Sequence, residues 1–218
     1  MTPWEKIAST ATPEGDELAL WRRGVELVVR VRNDELMSNR QFGSEEHLAE
    51  IACENLESGS RVLVGGLGLG FTLRKTLACI PPKSEVVVGE LMEPLAGWLR
   101  DHLDAGPLLD DSRVRLVFGN VADLMTKHPG RYDAIMLDVD NGPSALTAQG
   151  NRSLYSDRGL INAKRALKRG GRLVIWSAGP DEAFLDRFGR AGFRARVIHT
   201  RARRDKGPRH CLFVGDAT

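Results

Sequence analysis

The sequence predicts an α/β protein built on an open, doubly wound, Rossmann-like sheet whose last strand runs antiparallel. Three observations predict it. Short apolar runs alternate with helix-patterned segments from residue 61 to residue 191, the signature of parallel strands covered by helices on both faces. The first of these runs ends in a glycine-rich turn, Gly65-Gly66-Leu67-Gly68-Leu69-Gly70. The last two runs, Arg196–Thr200 and Cys211–Val214, have no helical pattern between them, so the final strand must return beside its predecessor.

The elements follow in chain order. Glu17–Trp21 and Val25–Val31 flank Arg22-Arg23-Gly24 and predict a hairpin. Ser44-Glu45-Glu46 starts a helix, with Ser44 as its cap and Leu48, Ile51, Ala52 and Leu56 as its apolar stripe. Strands are predicted at 61–64, 84–88, 114–118, 132–137 and 172–176, with helices at 71–79, 93–103, 122–126, 157–168 and 181–191. Lys168-Arg169-Gly170-Gly171 reads as a helix stop. Residues 1–43 therefore form an N-terminal extension carrying the hairpin, and residues 44–218 a ligand-binding, catalytic domain.

Composition narrows the function classes. The chain has 218 residues, 42% hydrophobic and 28% charged, enough for a core and a solvated surface, and a net charge of +2 gives no general pull toward nucleic acid or anionic membrane. No apolar run is long enough to span a bilayer, and the N-terminus lacks the apolar segment of a signal peptide. A cytoplasmic protein is expected. Cys53, Cys79 and Cys211 are widely separated, and the five histidines show no ligand spacing, so no metal is expected.

Ligands of open α/β sheets bind beyond the carboxyl ends of the strands. The glycine turn fails two phosphate-binding patterns. Arg74 rather than glycine precedes Lys75-Thr76, and Phe71 occupies the position where a dinucleotide fingerprint needs a small residue. What fits is G-x-G-x-G on Gly66, Gly68 and Gly70, suited to a nucleoside without a pyrophosphate. Glu90, at the end of the second strand, stands where an acid accepts hydrogen bonds from ribose hydroxyls; alternatively it caps a helix. Asn120 can meet an adenine edge or cap the short helix that follows. Asp138 ends the fourth strand, where a carboxylate can hold a cation or take a proton from an attacking amine, with Asp140 beside it as a second catalytic candidate. Asn141 is polar too, or simply turns the chain before Pro143.

These residues resemble those of the spermidine-synthase-like branch of the class I S-adenosylmethionine-dependent methyltransferase fold, from about Leu36 onward. The matching segments are Val62–Arg74, Glu90–Pro94, Tyr132–Asp138 and Leu154-Tyr155. The resemblance implies that Gly66, Gly68 and Gly70 line the donor's methionine-derived tail, that Glu90 binds ribose, that Asn120 lies near adenine, and that Asp138 deprotonates an acceptor amine. It places Gln41, Asn141 and Tyr155 on the acceptor side. The implied co-substrate is S-adenosylmethionine or decarboxylated S-adenosylmethionine, the implied partner a small-molecule acceptor, and the implied assembly a homodimer. Two positions depart from polyamine synthases: Leu69 replaces an acid within the glycine loop, and Asn141 replaces the second acid past Asp138. Methyl transfer to a small molecule or nucleic acid, and nucleoside binding without turnover, are the alternatives. Arg201, Arg203, Arg204, Lys206 and Arg209 form the basic run that a nucleic acid would meet, though no aromatic lies among them to stack a base.

Overall fold

In the computed structural model, a seven-stranded sheet has the order β10-β11-β9-β8-β5-β6-β7 and a separate four-stranded antiparallel sheet precedes it. The structure describes residues 2–32, 34–139, 153–203 and 206–218. The large sheet begins with β5 (Arg61–Gly65), β6 (Glu85–Glu90), β7 (Val114–Phe118) and β8 (Tyr132–Leu137). It continues through β9 (Leu167–Ser177), β10 (Phe193–Arg203) and β11 (Lys206–Ala217). Strands β5 to β9 pair in parallel, while β11 runs antiparallel to both β9 and β10. The last strand thus inserts between its predecessor and the rest of the sheet.

The central strands read as continuous apolar runs because both faces are buried. Val62, Val64, Val86, Val88, Ala134 and Met136 face one core with α1 (Gly43–Cys53), α2 (Phe71–Cys79), α3 (Glu93–His102) and α4 (Gly106–Leu109). The alternate residues Leu63, Val87, Ile135 and Leu137 face a second core with α5 (Val121–Lys127), α6 (Asp157–Ala166) and α7 (Glu182–Arg190). A fully buried Val or Leu at such a position is worth roughly 1.5–3 kcal/mol. The first core runs on into the N-terminal sheet through Leu18, Leu20, Leu27 and Val29.

Several sequence expectations are corrected. The expected N-terminal hairpin is present as β2 (Glu17–Arg23) and β3 (Glu26–Val31), but the extension is larger than predicted, with β1 (Glu5–Ala11) and β4 (Asp34–Ser38) flanking the pair in a four-stranded sheet. β1 is an edge strand with no fully buried residue, so it lacks the in–out alternation that reveals a strand. Ser44 does not cap α1. The helix begins one residue earlier, Phe42 precedes it without a side-chain cap, and Ser44 is buried inside the first turn. α6 ends at Ala166, and the Lys168–Gly171 run lies within β9 rather than ending a helix. The expected basic loop is drawn into the sheet as far as Arg203 on one side and from Lys206 on the other. The short α4 was not anticipated. No described helix is long and apolar enough to cross a membrane.

Arg172 ties β9 to its surroundings. Its Nε donates to Asp216 on β11 at 2.7 Å, and Nη1 donates to Glu54 at 2.9 Å and to the Ile51 carbonyl at 2.8 Å. Burial pushes the Asp216 carboxyl up, but the hydrogen bond and charge of Arg172, with Arg194 and Arg196, outweigh it and hold the group below its ordinary value. A carboxylate depressed in the folded state contributes stability above its unfolded value and loses it as the pH falls through the folded one. Asp216→Asn is expected to cost about 1–3 kcal/mol at pH 7. Urea unfolding of both proteins from pH 7 to pH 3 should show the gap closing in acid.

Candidate active site

The sheet order reverses between β5 and β8, and the candidate site lies at the carboxyl ends of the strands on either side of that point. Backbone hydrogen bonds carry the ladder past the strands and fix the ends of β5, β6, β7 and β8 together. Gly66 N donates to Gly89 O, Asp138 N to Gly65 O, and Gly119 N to Glu90 O, each at 2.8 Å. Gly66 has a φ of +93°, and a Cβ there would overlap the Asp138 carbonyl. This glycine permits two loop backbones to touch. Gly70, with φ +82°, precedes α2 and packs toward Leu99 and Leu108.

The cleft has two adjoining lobes that share Leu36, Met37, Gly68 and Asp138. The first takes in Gly66, Glu90, Asn120 and Val139. Glu90 is buried, and its carboxylate reaches back to the glycine turn: Oε2 accepts from Leu67 N and Oε1 from Met92 N, both at 2.7 Å. Burial pushes this carboxyl up, and the amides of Met92, Leu67, Gly68 and Leu91 act in the opposite sense. Each oxygen keeps lone-pair capacity for a further donor. Asn120 caps α5 through Oδ1, which accepts from Ala122 N at 2.9 Å, and still lines the lobe. The capping role is the one its hydrogen bond shows.

The second lobe lies between α1, α2 and β4, lined by Glu45, Phe71, Thr72, Leu69 and Trp176 together with the shared residues. Phe71, too large for a dinucleotide turn, stacks on Phe42 with centroids 4.2 Å apart. Asp138 stands where the lobes meet. Its Oδ2 accepts from Thr72 Oγ1 at 2.5 Å. Burial pushes the Asp138 carboxyl up to about 6 despite that hydrogen bond. Burial also pushes Glu45 up, to about 7, and the charge of Asp138 adds to the shift. Two carboxylates in a largely apolar lobe resist being charged together.

Among the sequence candidates, the fold gathers Gly66, Gly68, Glu90, Asn120 and Asp138 around the cleft. Gly70 shapes the turn without lining either lobe. Gln41 lies just before α1, also outside the lining. Tyr155 is buried in the second core, where it packs edge-on against Phe184 and donates its hydroxyl to Val139 O at 3.1 Å. It lines neither lobe. Asp140 and Asn141 lie outside the described residues. Glu45 and Thr72 escaped sequence reasoning. Glu45 reads as an ordinary first-turn acid, and only the fold brings it to Asp138. Among the described residues no group of three or more His, Cys, Asp or Glu is placed to hold a metal.

No family model matches the chain. Polyamine aminopropyltransferase 2 of Caldanaerobacter subterraneus subsp. tengcongensis is 30% identical over 137 residues, covering 61% of this chain and 44% of that protein. The polyamine aminopropyltransferase of Korarchaeum cryptofilum is 26% identical over 127 residues, covering 57% and 37%. The chain thus spans less than half the length of these curated relatives. The crystal structure of spermidine synthase from Thermotoga maritima superposes with a TM-score of 0.77 at 18% identity, over 98% of this chain and 72% of that one. The chain shares its fold with spermidine synthase. The two curated matches, both polyamine aminopropyltransferases, are similar to it over part of their length.

The raised carboxyls carry a stability signature. A carboxyl whose folded value exceeds its ordinary one, 3.8 for Asp138, contributes stability that is complete below the ordinary value and is lost as pH rises through the folded one. Asp138→Asn is therefore expected to melt at a higher temperature than the wild type at pH 8. The two midpoints should converge toward pH 4 in a thermal melt series.

Proposed function

We propose that this chain binds S-adenosylmethionine or its decarboxylated form in the first lobe and transfers an alkyl group from it to an amine in the second. The observation that carries this reading is Asp138. It is a half-buried residue shared by the lobe that Glu90 and Asn120 line and a second lobe that holds another acid.

The residues divide the work. Glu90, already fixed by two backbone amides, is oriented to accept from ribose hydroxyls, because a carboxylate held by Leu67 N cannot swing away from the glycine turn. Asn120 bounds the same lobe, where an adenine would lie. The sulfonium donor is already activated, so the chain's task is alignment, exclusion of water and removal of one proton from the acceptor. Asp138, oriented by Thr72, is the base for that proton. An aminopropyl-type group is the reading favoured by the two curated relatives, which carry the name polyamine aminopropyltransferase. The acceptor is then a small amine, and the setting cytoplasmic.

One observation favours methyl transfer instead. Leu69 is buried and lines the second lobe, so the glycine loop offers no carboxylate to select a donor by its amine. The by-product decides: methylthioadenosine signals aminopropyl-type transfer and S-adenosylhomocysteine signals methyl transfer. The basic residues Arg201, Arg203, Lys206 and Arg209 pair along the β10–β11 hairpin, away from the lining of both lobes, which leaves nucleic acid the weaker acceptor.

Glu90→Ala is expected to weaken methylthioadenosine binding by at least tenfold in isothermal calorimetry; equal affinity removes the ribose role. Asp138→Asn should bind methylthioadenosine as the wild type does but turn over on the order of 10²–10⁴-fold more slowly. Unchanged single-turnover rates in that variant would take the base assignment from Asp138.

A further inference from the structure

The second lobe holds an acid that the proposed reaction has not yet used. Glu45 is the third residue of α1, and its Oε2 accepts from Ser44 Oγ at 2.6 Å. Ser44 is fully buried, and its Oγ lies 3.0 Å from Nδ1 of His210 on β11. His210 in turn packs edge-on against Trp176, with centroids 4.6 Å apart. The Nε1 of Trp176 is buried and has no hydrogen-bond partner among the described residues. Three elements distant in sequence thus support one carboxylate at the wall of a lobe that Asp138 also lines.

We propose that Glu45 completes an acid–base pair with Asp138 for a primary amine acceptor, with Ser44 and His210 as positioning residues. The proposal rests on the reading of this cleft as a donor-and-acceptor site. The groups facing Glu45 are Asp138 from β8, His210 from β11 through Ser44, and its helix neighbour Glu46. Burial holds His210 below the ordinary histidine value, so it brings no standing positive charge to offset the two acids. An empty lobe therefore favours one shared proton between Glu45 and Asp138. An incoming ammonium supplies the missing positive charge and displaces that proton.

The chemical step then balances. One carboxylate takes a proton from the ammonium and leaves a neutral amine. The nitrogen lone pair forms the new N–C bond, and the C–S bond electrons leave with sulfur, turning the sulfonium into a thioether. The product nitrogen keeps its remaining protons and carries the positive charge. The second carboxylate stays charged opposite the reacting cation throughout. This arrangement gives the lobe an acid from α1 where the glycine loop presents Leu69.

The test is calorimetry on the full chain saturated with methylthioadenosine, titrated with 1,4-diaminobutane, 1,3-diaminopropane or ethanolamine in two buffers of different ionisation enthalpy. The wild type is expected to bind at least one of these amines with proton release. Glu45→Gln, which keeps the Ser44 contact, should bind methylthioadenosine normally, bind the amine at least tenfold more weakly and release no proton. Ser44→Ala should weaken amine binding a few-fold and still release the proton. Equal amine affinity and equal proton release in Glu45→Gln overturn the proposal, as does a wild type that binds methylthioadenosine but none of the amines. A wild type that fails to bind methylthioadenosine overturns the donor reading, and the Glu45 assignment with it.

Discussion

The cleft depends on one close approach. The backbone at Gly66 lies against the carbonyl of Asp138, which no residue with a Cβ permits, and the Asp138 amide returns a hydrogen bond to Gly65. That contact sets the distance between the glycine turn and the end of β8. Glu90 then locks the turn from the other side through Leu67 N. The turn is consequently held on both flanks before any ligand arrives, and a site prepared this way loses less ordering entropy on binding.

The fold also decides where charge can reside. β4 of the N-terminal sheet lays Leu36 and Met37 over both lobes, and Phe71 and Trp176 close the second. These apolar walls raise the carboxyls of Asp138 and Glu45 toward neutrality. A base useful near neutral pH needs such an environment, because an acid at its ordinary value would hold a proton too weakly. The same walls make charging these two carboxyls a cost to the folded state.

Much of this was legible in the chain. β7 and β8 are bounded as expected because each is a short apolar run between polar or glycine punctuation, and Gly65–Gly70 announced the turn. What escaped has identifiable causes. β9 starts at Leu167 although Lys168–Gly171 carries the punctuation of a helix stop, since pairing with β8 resumes across that irregularity. β1 and β4 are exposed or short strands with little alternation to detect. Glu45 was invisible as a lining residue because Asp138, which shares its lobe, lies far along the chain, and spacing within a helix cannot report a pocket assembled by the tertiary fold. Tyr155, for which a match to a family segment suggests a ligand contact, packs against Phe184 and lines neither lobe.

The threading of the sheet bears on how the polypeptide matures. Among the described residues β11 is the one strand that pairs with β10, and β11 carries His210 to its place beside Ser44. As the polypeptide leaves the ribosome, β10 emerges without a neighbour and the flank of β9 stays open until the last strand slides between them. An unpaired strand flank is a template for joining other chains. The interval before that insertion is therefore when a strand flank stands open to other chains, and the second lobe gains its His210 support only as β11 docks.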